Sequence, residues 1–425
     1  MTTTPTSLHD LTNTHPALRY CWHPVARSAD VDERPVRVLL LGEPWVLVRL
    51  GGCSDDVNAS TADRSDDENA GTGGNAGTAD RAGAEAGRLA AFFDRCPHRL
   101  APLSIGTVVE KGDRKSRVLQ CAYHGWCFGA QGRCVEIPAL GPGAAHIPPK
   151  ARLRAAAGVE ERHGMVFLRP TAPAAGQKDG AADGALALLE ALGELPDVAE
   201  AHDPAFMAGD LPVMRASASA GMLADNFLDM AHFPFVHSAT FGAEEPVVAP
   251  MTVERDAADP RGRWSFTAVS EHPFRNREDP GVAAGVRPLE QRRRVTYRVH
   301  APFHLVLRLD FLDTGGTNVI GFFLQPETDD SCRIFSTIWR DDLDHDAARM
   351  ASAVDFEVKV VEEDLAVQES YDVRFLPLDP TVEVHTRADR TTLELRRMLA
   401  DLVKAAAAPE ALGPTHASPD EAVAP

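Results

Sequence analysis

Two short segments in the first third of the chain carry paired metal-ligand side chains. Cys96-Pro97-His98 is followed, after 22 intervening residues, by Cys121-Ala122-Tyr123-His124, so each segment presents one thiol and one imidazole. Structural zinc sites more often pair two cysteines on one knuckle and two histidines on a helix. The mixed pairs, C-x-H and C-x2-H, instead suit a [2Fe–2S] cluster in which two thiolates hold one iron and two neutral imidazoles the other. Replacing thiolate by imidazole removes negative charge and raises the reduction potential. Cys21, Cys53, Cys127, Cys134 and Cys332 show no partner spacing and read as inert thiols.

A second set lies further on, where Asn226, Asp229, His232 and His237 spell N-x2-D-x2-H-x4-H. Asp229 and His232 are three apart and are expected on one face of a helix. His237 is five beyond His232, about 140° round a continuous helix. Pro234 is expected to end that helix and let His237 turn back toward the same point.

These side chains need elements to hold them. Residues 36–41 and 45–48 read as a β-hairpin, and strand signals recur at 89–93, 117–120 and 164–168 with Gly and Pro between. Segment 52–88 is Gly, Ala, Asp, Asn, Ser and Thr with hardly an apolar side chain, a composition expected to form a disordered insertion. The first domain is therefore placed at 18–170, with an Ala/Gly/Pro linker at 171–184. Beyond it, a short helix at 186–192 and a longer one at 218–232 precede strands at 264–269, 294–299, 305–309, 317–323 and 332–339, which alternate as an antiparallel sheet. Helices at 346–371 and 391–407 close a second domain, 185–407, before an Ala/Pro-rich tail at 408–425 that is expected to be disordered. The fold class is α+β: an all-β N-terminal domain, then an antiparallel sheet with helices.

The charge of −19 argues against nucleic acid as a partner. The start carries no basic and apolar leader, and no run of about 18 apolar residues occurs, so a soluble cytoplasmic protein without membrane association is expected. No Gly-x-Gly-x-x-Gly fingerprint follows a strand, which places nicotinamide or flavin on a separate partner.

With Arg99 after His98 and Gly125-Trp126 after His124, the motifs CPHR and CxxHGW resemble those of the Rieske iron–sulfur family. The N-x2-D-x2-H-x4-H set that follows resembles the mononuclear iron site of Rieske non-haem iron oxygenases, of the type acting on vanillate and dicamba. The resemblance implies cluster ligands Cys96, His98, Cys121 and His124, and an oxygenase-type centre, because Ala101 and Tyr123 stand where respiratory Rieske proteins carry an extra disulfide. It implies iron ligands His232 and His237, with Asp364 as third ligand because residues 363–368 match the family's E-D-x3-Q segment; Asp355, Glu362 and Glu363 stay open as alternatives. A 2-His-1-carboxylate face leaves open positions on Fe(II) for dioxygen and substrate. Asp229 would link His232 to the counterpart of His124 in a neighbouring subunit, and Asn226 would lie near the iron. The activity implied is that of a terminal oxygenase: electrons from NAD(P)H through a reductase, with or without a ferredoxin, and O2 hydroxylate or demethylate an apolar, aromatic or polycyclic molecule. A homotrimer is implied too. Cis-dihydroxylation uses the same ligands, so it remains open beside this reading. An electron-transfer protein without the second iron, or a zinc protein, stands further off. Phe227, Phe233, Phe235 and Phe241 are candidate pocket residues, and no residue stands out as a clamp for a substrate carboxylate.

Overall fold

The computed structural model describes residues 10–51, 87–112, 115–141, 147–173, 187–240, 246–275, 282, 285–286 and 288–407. The expected insertion, linker and tail lie wholly or mainly outside the described residues, as do Cys53 and Phe241. The described chain begins with strand β1, Asp10–Thr12. It divides into a smaller unit, Val25–Leu39 with Glu43–Leu168, and a larger one, Met1–Pro24 with Leu40–Gly42 and Arg169–Pro425.

The smaller unit is strand-rich. Its strands are His23–Arg27 (β2), Val36–Leu40 (β3), Glu43–Leu50 (β4), Arg88–Phe93 (β5), Thr107–Lys111 (β6), Ser116–Gln120 (β7), Cys127–Phe128 (β8), Cys134–Glu136 (β9), Gly158–Arg162 (β10) and Met165–Arg169 (β11). They form three small sheets, ordered β10-β11-β2, β3-β4-β5 and β6-β7-β8-β9. No single sheet could bury enough apolar surface alone. A shared core of Val46, Val48, Leu50, Phe92, Leu103, Leu119 and Phe128 joins the second and third of them, and the thiols of Cys96 and Cys121 are embedded in it.

The larger unit is an antiparallel sheet with helices. Met207–Asp210 (β12), Met214–Ala216 (β13), Thr252–Glu254 (β14), Ser265–Arg275 (β15), Glu290–His300 (β16), His304–Phe311 (β17), Thr317–Thr328 (β18) and Ser331–Arg340 (β19) run in the order β12-β19-β18-β17-β16-β15-β14, with β13 also on β19; Phe375–Pro377 (β20) pairs with β1. β18 is buried almost from end to end, the mark of a strand covered on both faces, whereas β16 alternates buried with more open positions. Besides a helical turn at 187–190, the α-helices named among the described residues are Ala220–Leu228 (α1), Phe233–Val236 (α2), Ala347–Gln368 (α3) and Arg390–Ala406 (α4). α3 starts where the Asp346 carboxylate accepts the N–H of Ala348 at 2.8 Å and of Arg349 at 3.1 Å. α4 buries Leu395, Met398, Leu399 and Leu402 at helical spacing. α1 packs against α3, α4 and β18. The architecture is α+β, as expected.

One local expectation is corrected. The helix of the second motif stops at Leu228, and Asp229 is extended (φ −86°, ψ 122°). The Asp229 carboxylate accepts the N–H of Ala231 at 2.8 Å, a side-chain turn that competes with helix. Pro234 does not end that helix; it lies in the first turn of α2, where its missing N–H costs nothing.

Candidate metal centres

In the smaller unit the two ligand pairs stand on tight turns. The N–H of Cys96 donates to Ala101 O (2.8 Å) and that of Leu100 to Cys96 O (2.9 Å). In the second loop the Cys121 N–H donates to Trp126 O (2.9 Å) and the Gly125 N–H to Cys121 O (3.0 Å). Gly125 takes φ +71°, and a Cβ there would press on Pro138 at 3.1 Å, so the turn requires glycine. At Gly106, where a Cβ would meet Gln120 O at 2.3 Å, the chain approaches β7 more closely than any side chain permits.

The donors are sorted by type. Cys96 and Cys121 lie side by side in the core, where burial and then the neighbouring sulfur push the Cys96 thiol up to about 11, against the Cys96-stabilising N–H of His98. The imidazoles of His98 and His124 meet edge to face at 4.5 Å, and Trp126 stacks on His98 at 4.6 Å and 6°. His98 Nδ1 is buried and has no hydrogen-bond partner among the described residues. Among the described residues these four side chains do not bring three donors within 4.8 Å of one another, as a single ion requires. Two sulfurs at one end and two nitrogens at the other suit a two-iron cluster, and the orphaned nitrogen is the atom such a cluster would satisfy.

In the larger unit three donors do meet. His232 Nε2 and His237 Nε2 are 3.1 Å apart, and Asp364 Oδ1 on α3 is 3.3 Å from the first and 3.2 Å from the second. Ligands bound at about 2.1 Å and at right angles lie about 3 Å from one another, so the triangle is one octahedral face. Carboxylates then hold each imidazole from behind. Asp229 Oδ2 is 3.3 Å from His232 Nδ1, and Glu363 Oε2 is 2.8 Å from His237 Nδ1. The hydroxyl of Thr240 donates to Glu363 Oε1, and Asn226 Nδ2 donates to Asp364 Oδ1 at 3.3 Å. Burial opposes charge on His232, but hydrogen bonds to Asp229 and Asp364 raise it to about 9. Burial likewise opposes the Asp364 carboxylate, which His232 and His237 hold below the usual range. The set attracts positive charge, and a metal ion bound here would take the place of the protons.

The residues singled out in the sequence thus fall into two groups, Cys96, His98, Cys121 and His124 in one and Asn226, Asp229, His232, His237 and Asp364 in the other. Asp355 and Glu362 are exposed on α3 and take no part. Glu363 is the partner of His237 through its Nδ1, a role that sequence spacing did not reveal; its signal is only that it neighbours Asp364. Phe233 packs edge-on to His232 at 4.9 Å and Phe227 stacks on Phe322 at 4.6 Å, but Phe235 is 72% exposed and lines nothing. Cys21, Cys127, Cys134 and Cys332 are buried free thiols.

A strand-built domain with a Cys/His loop pair, followed by a sheet-and-helix domain with a 2-His-1-carboxylate face, defines a Rieske non-haem iron oxygenase, and the chain belongs to that family. Residues 21–153 match the Rieske [2Fe-2S] domain and residues 216–405 the vanillate O-demethylase oxygenase C-terminal domain. The chain is 27% identical over 400 residues to the methylxanthine N1-demethylase NdmA of Pseudomonas putida, covering 91% of this chain and 90% of that one. It is 31% identical over 170 residues to the toluene-4-sulfonate monooxygenase system iron-sulfur subunit TsaM1 of Comamonas testosteroni, a match covering 40% of this chain and 42% of that protein. Dicamba monooxygenase bound to 3,6-dichlorosalicylic acid shares the fold, with a TM-score of 0.67 at 20% identity over 92% of this chain and 99% of that one.

Proposed function

We propose that this chain is the terminal oxygenase component of a multi-component system and that it hydroxylates or demethylates an aromatic or heterocyclic small molecule. The observation that carries the reading is the triangle of His232, His237 and Asp364 in the same chain as the Cys/His loop pair: an electron carrier needs only the second. In this reading Cys96, His98, Cys121 and His124 hold a [2Fe–2S] cluster, and His232, His237 and Asp364 hold Fe(II). When bound, these groups supply one-electron transfer and O2 activation. The protein's own part is positioning. Asp229 and Glu363 fix the tautomer and direction of the two imidazoles, each by accepting from Nδ1. Asn226 steadies the Asp364 oxygen.

Electrons would come from NAD(P)H by way of a separate reductase, with or without a ferredoxin. His124 is exposed, as are its neighbour Tyr123 at 65% and, in and just after the first loop, Leu100 at 53% and Ile105 at 65%, an apolar rim that supports docking of another protein surface. A homotrimeric ring, in which each chain presents this rim to the Asp229 side of the next, accounts for both surfaces. No helix among the described residues is long and apolar enough to cross a membrane, and we place the protein in the cytoplasm.

The test is anaerobic purification with metal analysis, an EPR spectrum of the dithionite-reduced protein, and turnover with a reductase on methoxy- and N-methyl-arenes. Hydroxylation of such a methyl group gives a hemiacetal or hemiaminal that collapses to formaldehyde, so formaldehyde in step with NADH consumption is expected. Roughly three irons per chain are expected, two in the cluster and one beyond it. Two irons, unchanged in His232→Ala, would overturn the reading in favour of an electron carrier.

A further inference from the structure

Asp94 is a buried acid that belongs to neither ligand set. It follows β5 and precedes Cys96 by two residues, so the two Cα atoms lie within about 7 Å of one another. Its side chain is 1% exposed, and among the described residues of the smaller unit no other carboxylate is buried. The other ion-paired acids of that unit, Glu43, Glu136, Glu160 and Glu161, keep their side chains in contact with water.

Both oxygens of Asp94 bond one residue across the loop. Oδ1 accepts the N–H of Ser104 at 2.7 Å, and Oδ2 accepts the Ser104 hydroxyl at 2.7 Å. The backbone N–H of Asp94 donates to Pro44 O at 3.0 Å, which ties this end of the loop to β4. Cys96 and His98 lie inside the ring that these bonds close. Every partner of the carboxylate is a donor, as the ionised, acceptor-only form requires.

The cation beside it stands mostly in water. Arg37 Nε is 3.3 Å from Oδ2, but the arginine side chain is 55% exposed. Water and salt screen that charge, whereas the field of the carboxylate acts through the interior of the unit. Arg95 and Arg99, the cations of the loop itself, are exposed as well. The two Cys/His pairs therefore stand in the field of one fixed negative charge. Such a field opposes the arrival of an electron, and net charge is one of the levers that place the potential of an iron–sulfur cluster.

We propose that Asp94 tunes the cluster: its buried charge holds the reduction potential below the value that the four ligands alone would give, while its bonds to Ser104 pin the loop that carries Cys96 and His98. This rests on the assignment of Cys96, His98, Cys121 and His124 as cluster ligands. Asp94 is a positioning residue, acting on the cluster through the loop and through space. A lower potential makes the reduced cluster a stronger donor toward the second iron and a weaker acceptor from the reductase.

The test is the midpoint potential of the intact holoprotein at pH 7, followed by the EPR signal of the reduced cluster during a mediated redox titration. Asp94→Asn keeps an amide oxygen for the Ser104 N–H and an amide N–H for the Ser104 hydroxyl, so the loop stays closed and the charge is lost. It is expected to favour the reduced cluster about tenfold, a rise of ~59 mV for a one-electron couple. Ser104→Ala keeps the charge and loses one bond, and its potential should stay within about twofold of the wild-type equilibrium. Arg37→Met removes the screened cation and should favour the oxidised cluster about twofold. An unchanged or lower potential in Asp94→Asn with full cluster content, or an equal rise in Ser104→Ala, overturns the proposal and leaves Asp94 a loop strap. If Asp94→Asn assembles no cluster, Arg37→Met decides, and a potential that does not fall overturns the proposal. A wild-type protein with no Rieske signal overturns the ligand assignment instead.

Discussion

The two metal centres are assembled in opposite ways. In the Cys/His loops each ligand pair is made by one tight turn, and the backbone bonds that close the turn, Cys96 to Ala101 and Cys121 to Trp126, lie within the loops themselves. In the larger unit no single turn suffices: α2 and the bend before it bring His232 and His237, and α3 brings Asp364 and Glu363 from more than a hundred residues away. The first site leaves His124 exposed, which suits the electron exchange proposed for it. The second buries His237 fully and surrounds it with carboxylates, as a group that must hold a cation out of water requires.

The sharpest way to break this contrast is to remove one ligand from each centre. Cys121→Ala is expected to abolish the Rieske EPR signal and NADH-coupled turnover while one iron per chain remains; Asp364→Ala is expected to abolish turnover with the Rieske spectrum intact. Loss of both centres in either variant, by metal analysis, would show that they are not built independently. Asp229→Asn comes next, retaining both centres and lowering turnover about 10- to 100-fold, because the amide cannot hold the His232 imidazole as a carboxylate does. Single-turnover kinetics with normal iron content would show it. Glu363→Gln should weaken iron retention about 10-fold on dialysis against a chelator, a smaller effect because the amide oxygen still accepts from His237 Nδ1.

The smallest effect separates the units by acid. In the larger unit His304 is buried and His300 half-buried, and burial holds them near 3 and near 4. These values lie below the unfolded value of 6.5, so between about 6.5 and about 4 the unfolded chain binds more protons than the folded one. Their contribution is intact above about pH 6.5 and is lost as pH falls toward 4. Urea midpoints taken at pH 7.5 and pH 5 should drop for the larger unit, and His300→Gln should flatten the drop; a midpoint independent of pH would contradict the burial of these imidazoles.

Much of this was legible because the relevant physics is local. The strands of the sheet announce themselves by β-branched and aromatic runs, and those at 264–269 and 294–299 prove longer than their cores because pairing extends β15 and β16 to Arg275 and Glu290. The bend at Asp229 was misread as helix because α1 ends on a side-chain bond to Ala231 N–H that periodicity does not record. Glu363 was weighed as a ligand and is instead the acceptor behind His237, a difference of which helix face meets which histidine.

Residue type and spacing within a turn picked out both candidate ligand sets, since a C-x-H loop or an H-x4-H bend brings its own donors together over a few residues. Tertiary structure decided what depends on distant segments meeting: which acid of α3 completes the triangle and which one braces the imidazole. That choice follows from the packing of α3 against the segment of the two histidines, and it is not a property of any short stretch of chain.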